Sequence, residues 1–383
     1  MLKRFINLTP ESILLVKGPA RVTCEGNVTV LGTNVDGEAI IRAGKVLPFE
    51  ANRPSKINVV ISRGGNYRIV KDGYRIGVSI WKDVADEMRH GSKRVMLVGA
   101  TDTGKSTLTT FLSNTAHANG LKVGVIDGDV GQGDLAPPGC IGAALIRKQF
   151  LDLRDIDAEY YAFIGSISPM GIEKLVIDSM KQILDKMVAR SDICMINTDG
   201  YVDEYGINYK IALAETLKPD LIVYIGEHTR KFNGFEVVHV NAPTGITKTR
   251  AEREGRRLAQ YARFVGNGEG ERSVYAAKKN FVFMGKVYDQ SIFQGDLIKI
   301  QNFMLPSDVM KGMFVGLAIG DDVKGFGVVT RMANGKIIVK TAYEGKFDTI
   351  MLSTIRLARN MRREYQISLV TNVDEGSEGP ALS

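Results

Sequence analysis

The clearest chemistry in the chain lies in Val95-Met96-Leu97-Val98-Gly99-Ala100-Thr101-Asp102-Thr103-Gly104-Lys105-Ser106-Thr107. It fits G-x-x-x-x-G-K-[ST], the phosphate-binding loop, at every fixed position. Each residue type has a reason to be there. Gly99 and Gly104 allow the tight turn that aims successive backbone N–H groups at a phosphate. A helix N-terminus behind them adds roughly half a positive charge. Lys105 would reach the β- and γ-phosphates, and the Ser106 hydroxyl would bind Mg²⁺. Ala100, Thr101, Asp102, Thr103 and Thr107 complete the cradle. A glycine turn in a purely structural unit is the bland alternative. The order of apolar run, loop and helix-forming segment argues against it and for a nucleoside triphosphate site.

A second stretch follows about twenty residues on: Val123-Gly124-Val125-Ile126-Asp127-Gly128-Asp129-Val130-Gly131-Gln132-Gly133-Asp134. Asp127 and Asp129 come just past an apolar run, beside the expected phosphates. Acidic groups there can hold the Mg²⁺ shell or accept a proton from an attacking hydroxyl. The alternative is an acidic turn after a core strand.

The densest basic run is Thr247-Lys248-Thr249-Arg250-Ala251-Glu252-Arg253-Glu254-Gly255-Arg256-Arg257-Leu258-Ala259-Gln260-Tyr261-Ala262-Arg263. On a helix Arg250, Arg253 and Arg257 share a face at spacings of three and four. Phosphoryl transfer needs cations at the moving group, and such a segment can supply them. Glu252 and Glu254 leave open the reading of a solvated charged helix.

These residues need a scaffold, and the pattern of the chain supplies one. Residues 1–80 read as short β-strands closed by glycine turns, a small antiparallel sandwich or barrel. Residues 81–265 alternate strand and helix. The strands fall at 94–98, 122–127, 193–197, 221–225 and 236–240, and the helices at 106–119, 173–189 and 209–217, with a leading helix at 82–90. This predicts an α/β fold, a P-loop domain with a parallel sheet, helices on both faces and ligands at the carboxyl ends of the strands. Residues 266–383 return to short strands punctuated by glycine, a C-terminal mainly-β domain, and 374–383 read as a disordered tail.

Composition removes several classes. At 383 residues the chain can bury two or three cores, and 44% hydrophobic with 24% charged residues is ordinary globular usage. Apolar runs are too short for a membrane span, and the N-terminus does not read as a signal peptide. Three scattered cysteines (Cys24, Cys140, Cys194) suggest neither a disulfide framework nor a zinc site. That favours a reducing compartment, cytoplasmic or, in a eukaryote, nuclear. The histidines at 90, 117, 228 and 239 show no ligand spacing. The net charge of +7 mildly favours polyanionic partners.

Gly99 to Thr107 together with Asp129-Val130-Gly131-Gln132-Gly133 closely resembles the Clp1/Grc3 (NOL9) polynucleotide 5′-hydroxyl kinases. Phe163-Ile164-Gly165-Ser166-Ile167-Ser168-Pro169 is similar to that family's clasp. Ile196-Asn197-Thr198-Asp199-Gly200-Tyr201-Val202 resembles its Asn-Thr-x-Gly-Trp strand end, with Tyr in place of Trp. The strand-rich flanks resemble its N- and C-terminal domains, and the basic run stands where the family has its lid, near 247–263.

The resemblance implies transfer of the ATP γ-phosphate to the 5′-OH of RNA or single-stranded DNA, with Mg²⁺ and with RNA-processing proteins as partners. It implies that Lys105 and Ser106 hold phosphates and metal, that Asp129 is the general base, and that Asp127 backs the metal. Gln132 would orient metal or substrate, and Ser168 would touch the nucleic-acid backbone. Tyr201 would stack on a terminal base, although a core-edge aromatic fits it equally well. Arg250, Arg253 and Arg257 would serve the lid, with Arg253 as the first choice for the transferring phosphate.

Three rival classes bear on this reading. A GTPase needs an Asn/Thr-Lys-x-Asp motif where this chain has Asn197-Thr198-Asp199-Gly200. A MinD-like ATPase needs an early loop lysine where this chain has Ala100-Thr101. A catalytically weak ATP-binding scaffold of an RNA-processing complex stays open beside the active kinase.

Overall fold

The computed structural model describes residues 1–71, 78–88, 93–226, 232–242, 247–266, 271–275, 279–294, 297–300, 303–333 and 336–367. The predicted tail at 374–383 and the histidines at 90 and 228 lie outside them. By internal contacts the chain divides into two units. The first holds residues 1–129, 143–159 and 180–256, the second 130–142, 160–179 and 257–383.

The first unit opens with seven strands: β1 (Leu2–Leu8), β2 (Ser12–Lys17), β3 (Ala20–Val30), β4 (Thr33–Ile41), β5 (Val46–Ala51), β6 (Ser55–Ile61) and β7 (Asn66–Lys71). They form an antiparallel sheet in the order β1-β6-β3-β5-β2-β7, with β4 on β3. Alternation along β3 and β6 puts Val22, Cys24, Val28, Val30, Ile57 and Val59 into the core.

After α1 (Val78–Met88) come β8 (Arg94–Gly99), α2 (Lys105–Ala118), β9 (Val123–Gly128), β10 (Cys140–Ile146), β11 (Tyr160–Phe163), α3 (Glu173–Val188), β12 (Ile193–Thr198), α4 (Glu204–Leu217), β13 (Leu221–Ile225), β14 (Val237–Val240) and α5 (Arg250–Val265). Strands β9, β12, β8, β13 and β14 lie side by side, every pair parallel. β9, β12 and β13 are buried at every residue, as continuous apolar runs covered on both faces must be. Register decides where the site lies. Thr198 pairs with Gly128, Asn197 with both Asp127 and Leu97, and Ile225 with Gly99. The ends of β8, β9 and β12 are therefore level, and the loops that follow leave the same edge.

Two helices begin earlier than the sequence suggests. α1 starts at Val78 rather than 82. α4 starts at Glu204 rather than 209, because the Asp203 carboxylate accepts the Gly206 N–H at 2.9 Å and caps it. β10 and β11 were not foreseen.

Within the first unit α2 is tied to the N-terminal sheet by one buried side chain. Asn114 Nδ2 donates to Leu31 O at 2.9 Å and Phe150 O at 2.7 Å, and its Oδ1 accepts from Phe150 N at 3.0 Å. The carbonyl it reaches belongs to the β3–β4 turn, where Leu31 and Gly32 both have positive φ.

The second unit is built on β15 (Glu271–Tyr275), β16 (Asn280–Phe283), β17 (Lys286–Tyr288), β18 (Phe293–Gln294), β19 (Leu297–Ile300), β20 (Phe303–Pro306), β21 (Met313–Ile319), β22 (Asp322–Ala333), β23 (Lys336–Lys340), β24 (Thr349–Leu357) and β25 (Glu364–Gln366). The main sheet runs β15-β23-β22-β21-β24-β16-β17, with β25 on β24, while β18, β19 and β20 form a small sheet of their own. One buried cluster joins this sheet to chain from the middle of the sequence. Tyr261 and Val265 of α5, Ala136 of the glycine-rich loop after β9 (residues 130–139) and Cys140 at the start of β10 pack with Phe314, Phe326, Ile355 and Leu357. The rings of Tyr261 and Phe163 lie 5.0 and 5.7 Å from that of Phe314. β10, α3 and α5 each have residues in both units.

Candidate active site

The phosphate loop leaves β8 at Gly99. A Cβ there would meet Ile225 O at 2.6 Å and Thr103 Oγ1 at 2.9 Å, so the close turn needs glycine. Gly104, at φ 93°, starts α2, and Thr103 Oγ1 donates back to Ala100 O at 2.8 Å. Lys105 is 6% exposed, and its Nζ donates to Gly99 O at 2.7 Å and Ala100 O at 2.8 Å. Burial pushes its ammonium down to about 8, while the carboxylates of Asp129, Asp199 and Asp102 oppose the shift and Lys210 adds to it. The loop thus holds a desolvated cation on its own carbonyls, ready for exchange onto an anion.

Level with the loop stands an oxygen-rich group. Asp127 closes β9 and is buried; its Oδ1 accepts from Asn197 Nδ2 at 2.8 Å, and Asp129 N lies 3.4 Å from the same oxygen. Asn197 Nδ2 also lies 3.5 Å from Ser106 Oγ. One amide therefore joins three elements: the loop helix, β9 and β12. Asn197 Oδ1 is buried without a hydrogen-bond partner. An orphaned amide oxygen beside a serine hydroxyl and a carboxylate is a hard-oxygen donor set, and these residues fit Mg²⁺. Among the described residues no three His, Cys, Asp or Glu cluster around a point. A metal held by hydroxyl, carboxylate and substrate phosphates needs no such cluster. Asp129 is half-buried, two residues past Asp127.

β12 then delivers Asp199 and Tyr201. A Cβ on Gly200 would meet Thr101 N at 2.7 Å, so the strand end packs directly on the phosphate loop. Asp199 is buried, and half-buried Tyr201 donates its N–H to Asp199 Oδ1 at 2.9 Å.

The lid arginines separate. Asp102, at φ 64°, accepts from Lys248 N and Lys248 Nζ, each at 3.0 Å, and from Arg253 Nη2 at 3.1 Å. Burial raises the Asp102 carboxyl, but the Lys248 N–H and the two cations outweigh it and hold it below 3.8. Arg253 also donates to Lys248 O at 2.8 Å. Arg250 is exposed. Arg257 belongs to the second unit and is paired there with Glu364 of β25. A shared helical face in the sequence becomes three different environments.

Gln132 and Ser168 also fall in the second unit. Ser168 is exposed, and its Oγ accepts from Met170 N at 3.2 Å. The clasp begins at Gly165, whose carbonyl accepts from Thr354 N at 2.8 Å and Thr354 Oγ1 at 3.1 Å, so β24 carries it. Ile164 N and Gly165 N both donate to Gly139 O, which joins clasp and glycine-rich loop.

Sequence reading passed over Asn197, Lys248 and Lys210 as site residues. Lys210 carried a legible signal. It sits among Ile207, Leu213, Ala214 and Leu217, on the buried stripe of α4, at spacings of three and four.

Known proteins resemble the chain in sequence and in fold. The family described as mRNA cleavage and polyadenylation factor CLP1 P-loop matches residues 99–266. A polyribonucleotide 5′-hydroxyl-kinase of Pyrococcus abyssi is 27% identical over 280 residues, 72% of this chain and 77% of that one. The rat polyribonucleotide 5′-hydroxyl-kinase Clp1 is 30% identical over 154 residues, 37% of this chain and 36% of that one. The solved Clp1p of a Clp1p–Pcf11p complex superposes with a TM-score of 0.70 across 93% of this chain and 98% of that one; at 12% identity this speaks for the fold alone. Residues 99–266 of the chain, from the phosphate loop through α5, thus resemble the CLP1 P-loop family.

Proposed function

We propose that the chain is an ATP-dependent polynucleotide 5′-hydroxyl kinase, transferring the γ-phosphate to the 5′-OH of RNA, and of single-stranded DNA where the pocket tolerates it. The observation that carries this reading is the Asn197 bridge. It sets Ser106 of the phosphate loop and Asp127 side by side, with Asp129 two residues further on at the same sheet edge. The names of the archaeal and rat relatives support the same substrate class. The matching architecture is a P-loop kinase domain flanked by N- and C-terminal β domains.

Lys105 leaves the Gly99 and Ala100 carbonyls for the β- and γ-phosphates, exchanging neutral acceptors for charged ones. Ser106 and Asp127 would hold Mg²⁺, with Asn197 keeping both in place. When bound, the metal neutralises charge on the phosphate oxygens. Asp129 accepts the proton of the acceptor 5′-hydroxyl as its oxygen bonds to phosphorus and the bond to ADP breaks. Arg253 turns from Asp102 toward the transferring phosphoryl group and exposed Arg250 serves the lid with it, while Arg257 stays paired with Glu364 in the second unit. Tyr201 of the first unit and, separately, Gln132 and Ser168 of the second are the residues proposed to contact the polynucleotide.

The test is ATP consumption with and without a 5′-OH oligoribonucleotide. An active kinase consumes ATP only with the 5′-OH strand, and Asp129→Asn removes the response. ATP binding with no response to the strand would leave a scaffold.

A further inference from the structure

Lys210 of α4 is fully buried, which is unusual for a lysine. Its Nζ lies 2.7 Å from Asp199 Oδ2 and 4.5 Å from the centre of the Tyr209 ring. The contact is a close ion pair without a well-aligned hydrogen bond. Tyr209 OH donates to the same Asp199 oxygen at 3.1 Å, and the other oxygen takes the Tyr201 N–H. Tyr201 is confined from below as well: a Cβ on Gly206 would meet Tyr201 O at 2.6 Å and its Cδ2 at 2.9 Å. Asp199 fills the unspecified position of the Asn-Thr-x-Gly-Trp pattern, so this support belongs to the chain's own residues.

We propose that Lys210 is a positioning residue: by pairing with Asp199 it fixes the backbone and ring of Tyr201, and so sets where the 5′ end of the acceptor strand rests. The proposal rests on the kinase reading above. A carboxylate buried alone would be unstable, and an apolar residue at 199 could not receive the Tyr201 N–H. The lysine makes a buried, doubly accepting carboxylate tenable at that point. Burial pushes Lys210 below the ordinary lysine range, while the carboxylates of Asp199 and Asp129 pull it back. Lys105 in turn feels the Lys210 charge. The support therefore stands within electrostatic reach of Lys105 and Asp129.

The experiment is a mutant cycle in steady-state kinetics, with ATP and a 5′-OH oligoribonucleotide varied separately. The proteins are wild type, Tyr201→Ala, Lys210→Met and Tyr201→Ala/Lys210→Met. Lys210→Met should raise KM for the oligonucleotide about tenfold, within the worth of one base on an aromatic face. KM for ATP should stay within twofold. Added to Tyr201→Ala, Lys210→Met should cost nothing more, since its effect passes through that residue. Should Lys210→Met not fold, Asp199→Ala/Lys210→Met removes both buried charges together and takes its place. Unchanged oligonucleotide KM in a folded variant, a full additional loss on the Tyr201→Ala background, or a shift confined to ATP would each overturn the proposal. A wild type inactive on every 5′-OH strand would overturn the kinase reading first, and the positioning role with it.

Discussion

The first half of α5 carries two arginines one helical turn apart with opposite surroundings. Arg253 is 37% exposed and touches Asp102, a residue of the phosphate loop itself. Arg257 is 16% exposed and is locked to Glu364 in the β-rich unit, next to the buried Tyr261 and the Phe314 cluster. The first can exchange its carboxylate for a phosphate at little cost, whereas the second would have to abandon a buried partner. Two arginines can thus share a face of one helix and differ in what holds them, and only their partners tell them apart.

The largest expected effects test whether the Arg253 side faces the chemistry at all. Lys105→Ala should abolish transfer. Its melting temperature should not fall, because the folded protein confines a charged amine whose pKa is lowered to about 8. Between pH 8 and the unfolded lysine value the unfolded chain binds the extra proton, so wild-type stability rises with pH there. Lys105→Met should remove that rise. Full activity in either folded variant would place the phosphate site elsewhere. Asp129→Asn should lower turnover by about 10² to 10⁴ with ATP binding intact. A mild effect there with a severe one at Asp127→Asn would exchange the two roles.

The arginines come next. Arg253→Ala should lower kcat by roughly 10² with little change in KM for ATP, the outcome expected of the proposed contact that forms only once both substrates are bound. Arg257→Ala should instead cost about 1–3 kcal/mol of stability in urea unfolding, the value of a buried charged hydrogen bond, with kcat within a few fold of wild type. If the two variants exchange phenotypes, the contrast between the two arginines of α5 fails.

The smallest effect concerns Asp102. Its folded pKa is depressed, so the bond to Lys248 and Arg253 stabilises the protein above the ordinary carboxylate value and is lost as pH falls through the lower folded one. Chemical denaturation of wild type should weaken below about pH 4, and Asp102→Asn should flatten that slope.

How far these features could be read from the sequence depended on what made them. The strands at Arg94–Gly99, Val123–Gly128, Ile193–Thr198 and Leu221–Ile225 were legible because parallel strands covered on both faces leave uninterrupted apolar runs. The phosphate loop was legible because its glycines answer a local backbone demand. Asn197 was not: it meets Asp127 seventy residues away, through a register that nothing local encodes. The same holds for the clasp, whose anchor at Thr354 lies 189 residues off. For the lid, helical spacing placed the three arginines on one face but carried no information about Asp102 or Glu364. Lys210 falls between these cases, since its place on an apolar stripe announced burial without naming Asp199.

The most direct measurement is transfer of label from ATP carrying a radioactive γ-phosphate to matched oligoribonucleotides bearing either a 5′-hydroxyl or a 5′-phosphate. Label should appear on the 5′-hydroxyl strand alone, at its first nucleotide, and vanish with Lys105→Ala. No label on the 5′-hydroxyl strand, or equal label on both strands, would contradict the account.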